Sequence, residues 1–251
     1  MIVLGSRDDE GKVWCYIVTG EAGLLKVSSP GLLRIDANAY AEDRFVSSLS
    51  CGREVGSLII DPARRKRIRV NGSVADRSED GGIGVKVAEA YGNCNRYIHP
   101  RRLSVREKMA ADRFDAQCGK LLNDRQQRTI AGSDTFFIAS VSREGGMDAS
   151  HRGGPAGFVR VVDDGTLLFP DYSGNMLFNT LGNLVENPSA GLLFVDFKSG
   201  DTLHLAGNAE ILWDRNEKTD PQFPGAQRLI RVGIEAVVQV QANGRFIWEN
   251  K

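Results

Sequence analysis

The chain has 251 residues, 41% hydrophobic and 25% charged, with 32 basic and 32 acidic side chains and no net charge. That length and balance fit one large or two small globular domains, and they exclude a global electrostatic pull toward nucleic acid or an anionic membrane. Four scattered cysteines without a Cys-x-x-Cys pair argue against a disulfide framework and against a zinc site.

At the N-terminus, MIVLG is too short for a signal-peptide core, and Arg7, Asp8, Asp9 and Glu10 follow it at once. No window approaches the length of a membrane span, so a cytoplasmic protein with reduced thiols is expected. Further on, Arg64, Arg65, Lys66, Arg67 and Arg69 form a basic run in which Ile68 and Val70 alternate with arginine; the alternation predicts a solvated strand face. A charged, strand-poor stretch then follows. Met109, Phe114, Cys118, Leu121 and Leu122 are spaced in it for a helix, with Gly132-Ser133-Asp134 as its stop.

Beyond it, short runs of Val, Ile, Leu and Phe punctuated by Gly and Asp predict strands at 136–141, 157–162, 166–169, 191–195, 202–211 and 235–241. One helix is expected after the third of these. Its apolar face is Met176, Leu177, Leu181 and Leu184, it stops at Asn187-Pro188, and the small polar loop Asp171–Asn175 feeds its N-terminus. Such a loop can hold an anion or can be an ordinary cap.

The chain also repeats itself. GEAGLLKVSSPGLLRID from Gly20 lines up with GPAGFVRVVDDGTLLFPD from Gly154, and GSLIIDPARRKRIRVNGSV from Gly56 with GLLFVDFKSGDTLHLAGNA from Gly191. Many short strands with turn signals between them suggest a closed or partly closed antiparallel barrel. Two copies in one chain make a covalent pseudo-dimer, whose facing surfaces meet within a single polypeptide.

DASHRGGPAGFVRV, FPDYSGNMLFNTLGNL and AGLLFVDFKSGDTLHLAGNAEI resemble the signature blocks of the pyridoxamine 5'-phosphate oxidase-like, FMN-binding split-barrel proteins. GSLIIDPARRKRIRVNG and AYGNCNRYIHPRR resemble blocks from the first half of the tandem members of that group. The resemblance implies a mainly β protein of two tandem six-stranded Greek-key split barrels: a degenerate repeat at 1–102, a helical connector at 103–134 and an FMN-binding repeat at 135–251. FMN is expected in the groove between them, and the chain is expected to be a monomeric pseudo-dimer or a homodimer acting on a small molecule.

Carried over residue by residue, the implied FMN contacts fall on Ser150, His151, Arg152 and Gly153, then on Asp171, Tyr172, Ser173, Gly174, Asn175, Asn179 and Thr180. Asn95, Tyr97 and Arg101 would complete the site from the first half. Arg152 would pair with the phosphate, and Asp171 would serve ribityl hydroxyls or cap the turn. Met176 and Leu177 stand where many relatives carry Arg or Lys, so Arg96, Arg101 or Arg102 would supply the missing charge. Val18 stands where Arg152 stands, and Ala37, Asn38, Ala39 and Tyr40 replace the cradle, so one site per chain is expected.

Of the three histidines, His204 reads as packed or surface, whereas His151 and His99 are candidates for contact with the ring or a substrate. Cys94 reads as packed beside Tyr97. No catalytic triad order, phosphate loop or metal spacing occurs. FMN-dependent oxidoreduction of a small organic acceptor or oxygen leads; a haem-binding or haem-degrading barrel and a non-catalytic flavin-binding protein are the rivals. The C-terminal GRFIWENK lacks the basic motif that vitamin B6 oxidation uses in the family.

Overall fold

The computed structural model describes residues 1–40, 43–79, 81–92, 94–105, 116–174, 178–216, 218–241 and 246–250. In the first half, β1 (Ile2–Arg7), β2 (Val13–Val18), β3 (Leu25–Ser29), β4 (Leu32–Ile35), β5 (Glu54–Asp61), β6 (Lys66–Arg77) and β7 (Ile83–Gly92) form one antiparallel sheet ordered β2-β1-β5-β6-β7-β4-β3. A short helix, α1 (Arg44–Ser47), lies between β4 and β5. After β8 (Arg101–Val105), β9 (Ala116–Gly119) and α2 (Asp124–Ala131), the second half contributes β10 (Thr135–Val141), β11 (Met147–Gly153), β12 (Arg160–Asp163), β13 (Thr166–Tyr172), α3 (Asn179–Glu186), β14 (Ser189–Val195), β15 (Thr202–Leu212) and β16 (Ala226–Val240). Its sheet is ordered β11-β10-β14-β15-β16-β13-β12, strand for strand the order of the first. The registers agree too: Val18 faces Ile2 in the first hairpin where Arg152 faces Phe136 in the second.

Each half thus has seven strands in this path rather than six. The strand missed by its pattern is β11. It carries Asp148, Ser150, His151 and Arg152, which break any apolar alternation, yet all seven of its residues are buried. Burial of a polar strand requires polar partners; Asp148, Ser150 and His151 find theirs in the other half of the chain, and Arg152 finds its partner in Asp171 of its own half.

The connector also differs from expectation. Residues 106–115, with Met109 and Phe114, lie outside the described residues. Cys118 belongs to β9, which pairs with Val237–Val240 of β16, because that edge offers open main-chain donors and acceptors. The helix is α2, started by a capping box in which Asn123 and Gln126 satisfy each other's backbone amides. The C-terminal β17 (Phe246–Asn250) pairs with β8, joining the end of the second half to the end of the first.

Two apolar cores fill the halves and a third lies between them. Val3, Val13, Cys15 and Leu58 meet Phe137, Ala139, Met147 and Leu193 there. The halves approach backbone to backbone at matched glycines. A Cβ on Gly56 would stand 2.6 Å from the main chain of Asp148, and one on the equivalent Gly191 would stand 2.7 Å from that of Trp14.

Candidate functional site

Of the basic run, Arg64, Arg65 and Lys66 are exposed as expected, but Arg67 and Arg69 of β6 turn inward. Ile68 is 40% exposed, whereas Arg69 is 0% exposed and Arg67 half-buried. The arginine face points across the interface at β11. Arg69 Nη2 donates to Ser150 Oγ at 2.5 Å, its Nη1 lies 3.4 Å from Asp148 Oδ1, and Arg67 Nη1 lies 3.0 Å from His151 Nδ1. On β11 itself, buried Arg152 donates to Asp171 Oδ1 of β13 at 2.9 Å, and Arg228 Nε of β16 stands 3.5 Å from the other oxygen.

Burial and mutual repulsion leave their mark on these groups. Desolvation, then the neighbouring Arg69, pulls the Arg67 guanidinium down to about 10. Desolvation also lowers Arg152, against the pull of Asp171. His151 is pushed well below the ordinary imidazole range, first by burial and then by Arg67, so it is neutral at pH 7. An arginine can only donate, so Nδ1 is the acceptor and the His151 proton sits on Nε2. Asp148 is raised by burial, against the stabilising Arg69 and Asn71. Buried Nε atoms of Arg67, Arg69 and Arg152 have no acceptor among the described residues. Several desolvated cations with idle donors are a site that favours an anion.

These side chains surround a cavity of about 20 Å³ lined by Arg67, Arg96, Tyr97, His151, Arg152, Gly153, Phe158, Pro170, Tyr172 and Gly174. Three arginines and no carboxylate form that lining. The first half closes it through a strap at 94–100. Tyr97 stacks on Tyr172 with ring centres 5.6 Å apart and donates its hydroxyl to the Ser173 carbonyl at 2.8 Å. Arg96 lies over Gly174, where a Cβ would come within 2.6 Å of its Cδ; Gly174 has φ +112°.

Of the residues expected at a cofactor, the structure therefore brings His151, Arg152, Gly153, Tyr172, Gly174 and Tyr97 to one cavity, with Ser173 at its rim. The others serve elsewhere. Ser150 accepts from Arg69, and Asp171 lies behind Arg152, where neither line the cavity. Asn179 donates to Tyr91 and Thr180 to Asp148, both tying α3 to the interface. Arg101 pairs with Asp134 and stacks 4.0 Å above the Phe197 ring, because that carboxylate and ring satisfy it away from the cavity. Asn95 is exposed and does not line this cavity, and Asn175 with Met176 and Leu177 lies outside the described residues. His99 lies with Nε2 3.0 Å from the Gly154 carbonyl, and Cys94 is exposed rather than packed. His204 is packed, as one reading of it allowed. Sequence pattern does not place Arg67, Arg69, Asp148 or Arg228 at the site; the alternation around Ile68 is the available signal, and it does not tell which face is buried.

Among the described residues no group of three His, Cys, Asp or Glu could hold a metal ion, and no helix is long and apolar enough to cross a membrane. The family model for pyridoxamine 5'-phosphate oxidase matches residues 122–246. Residues 122–246 thus resemble the pyridoxamine 5'-phosphate oxidase family. The match takes in β10 to β16, and with them the half of the cavity that carries His151, Arg152 and Tyr172.

Comparison with curated proteins gives no match. Solved structures similar to this chain include HupZ from Group A Streptococcus, at 16% identity over 49% of this chain and 98% of that one, with a TM-score of 0.40. An FMN-binding protein from Syntrophomonas wolfei matches at 14% identity over 46% and 84%, TM-score 0.36. The haem storage protein HutZ from Vibrio cholerae matches at 15% over 47% and 92%, TM-score 0.34.

Proposed function

We propose that this chain binds FMN between its two halves and is an FMN-dependent oxidoreductase of a small organic acceptor or oxygen, working in the cytoplasm. The observation that carries the reading is the set of desolvated guanidinium groups, Arg67 from one half and Arg152 from the other, converging on the neutral donor His151 with idle Nε atoms. A phosphate dianion is the complement of that set.

The residues present fit the phosphate end of FMN. Arg67, Arg96 and Arg152 would provide the positive wall, and His151 Nε2–H a neutral donor. The ring end finds its apolar faces in Tyr172, Phe158 and Pro170. The volume does not admit the ring as it stands, since about 20 Å³ holds roughly one water, whereas ligand pockets run to about 300–1,000 Å³. Tyr97, stacked on Tyr172, is one of the side chains that narrow it.

When bound, the flavin supplies the electron-transfer chemistry. The chain's residues hold its anionic tail, cover its ring and keep water from it. His151 is poised as a hydrogen-bond donor and is poorly suited as a base, because Arg67 occupies Nδ1 and burial opposes a second proton.

A haem reading would need an imidazole nitrogen free for iron. His151 Nδ1 accepts from Arg67, so His151 would first have to give up that partner, and His99 does not line the cavity. The deciding measurement is the absorbance spectrum of the purified protein, followed by titration with FMN. Flavin bands, or saturable quenching of FMN fluorescence, are expected. A Soret band, or no response to FMN, would overturn the proposal.

A further inference from the structure

Tyr97 holds the place a ligand ring would need. Its ring stacks on Tyr172, and its hydroxyl is anchored to the Ser173 carbonyl. The backbone around it is held in an unfavourable state, with φ +62° at a non-glycine residue. Its carbonyl oxygen is seated so close to Gly153 that a Cβ there would stand 2.3 Å away. Besides these contacts the strap is tied to the second half by His99, whose Nε2 lies 3.0 Å from the Gly154 carbonyl. Cys94, Asn95, Arg96 and Tyr97 are all exposed, and Ile98 is the buried side chain that anchors the segment. An exposed loop with one apolar anchor belongs to the low-stability end of a structure, where lids and gates are found.

We infer that Tyr97 is the gate and the specificity-setting residue of this site: it occupies the ring slot on Tyr172, and a planar aromatic ring with an anionic tail enters by displacing it. The inference rests on the flavin reading and adds a condition to it. A ligand must offer a ring that replaces the Tyr97 stack and an anion that Arg96, carried on the same strap, follows inward. A small anion without a ring gives no compensation for the lost stack. A ring without the anion leaves Arg67 and Arg96 of the lining without a carboxylate or phosphate partner. The unfavourable φ of Tyr97 is released when the strap lifts, so opening recovers part of its own cost.

The test is stopped-flow and equilibrium binding of FMN, with riboflavin and inorganic phosphate as half-ligands. The variants are Tyr97→Gly, which a φ of +62° suits, and Tyr97→Phe, which keeps the ring but loses the Ser173 bond. A ring pair and a net hydrogen bond together amount to a gating cost of roughly ten- to a hundredfold, so Tyr97→Gly should accelerate FMN association by about that factor. Tyr97→Phe should accelerate it by roughly two- to tenfold, the hydrogen-bond share alone. Neither half-ligand alone should compete with FMN at equal concentration.

If wild type and Tyr97→Gly bind FMN at the same rate, Tyr97 is no gate and the flavin reading stands without it. If neither protein binds FMN, the gate and the flavin reading fall together. Binding by Tyr97→Gly with little by wild type would establish the gate as the dominant barrier.

Discussion

Arg67 of the first half donates a hydrogen bond across the interface to His151 Nδ1 of the second, at 3.0 Å. The pair fixes the imidazole as a neutral tautomer with its proton on Nε2, and it makes the interface sensitive to acid. The fold disfavours the charged form of His151, so below the ordinary value of about 6.5 the unfolded chain binds more protons than the folded one. His204 behaves alike, lowered to about 4 by burial, against the opposing contact with the Cys15 carbonyl. Stability from both is full above about pH 6.5 and lost as pH falls. For His204 the loss levels off near 4. Asp148 and Asp43 are raised, so they bind protons earlier in the fold and offset part of the loss. Each histidine should contribute a slope of about 1.4 kcal/mol per pH unit within its window. Denaturant midpoints of wild type and His204→Gln between pH 4 and 7 would read this directly. An equal slope in both proteins would remove His204 from the account.

Gly56 and Gly191 should be the least replaceable glycines of the interface. An added Cβ meets main chain at 2.6 Å and 2.7 Å, and backbone in a sheet cannot move aside as a flexible side chain can. Gly56→Ala or Gly191→Ala should each cost about 1–3 kcal/mol or more by forcing the halves apart. Gly92→Ala, where a Cβ would meet nothing within 4 Å, is the control and should be near neutral. Urea unfolding of the three variants makes the comparison.

Arg152 and Asp171 form a buried pair 2.9 Å apart, with side-chain exposures of 7% and 4%. Arg152→Ala leaves Asp171 buried with only the longer contact to Arg228 at 3.5 Å. A loss of about 3–5 kcal/mol is expected, whereas an apolar pair such as Arg152→Met with Asp171→Leu should retain most of the stability, since desolvation cancels much of a buried pair's attraction. Thermal unfolding of the single and double variants separates the two cases. The distinction matters for binding assays, because weakened FMN binding by Arg152→Ala has meaning only beside a measured stability.

The fold was largely legible in the chain because its cause is local and repeated. Apolar runs ending at Gly and Asp mark strands, and the matched glycines Gly56 and Gly191 mark equivalent places in both halves. The site was legible in part. His151, Arg152, Tyr172 and Gly174 stood out as polar or glycine positions between apolar runs, and the resemblance located them. Arg67 and Arg69 did not, because alternation reveals that a strand has two faces without revealing which is buried. An inward-facing arginine row becomes readable only once Asp148 and Ser150 are known to lie opposite. Strand β11 escaped for the complementary reason, since Asp148, Ser150 and His151 are buried, polar and paired with residues of the other half 77 to 84 positions away in sequence.

One FMN per chain is the last expectation, and it follows from what fills the second, pseudo-equivalent groove. There Thr202 and His204 stand at the places of Arg67 and Arg69, and Val18, fully buried, stands at the place of Arg152. None carries a cation at neutral pH, since burial holds His204 neutral. The space is taken as well: Phe45 packs against His204 with ring centres 4.5 Å apart and against Tyr16 at 5.6 Å. The helix termini differ in the same sense. Asp43 caps α1, accepting from the amides of Phe45 and Val46 at 2.9 and 3.0 Å, so a carboxylate of the chain itself already occupies that end. Among the described residues α3 has no such side-chain cap. An incoming phosphate would therefore meet a negative charge and an apolar wall in one groove, and arginines in the other. Flavin released by heat from saturated protein, compared with chain concentration, should give a ratio near one. A ratio near two would show that the first half retains a phosphate site despite Val18 and Asp43, and the asymmetry argued from them would be wrong.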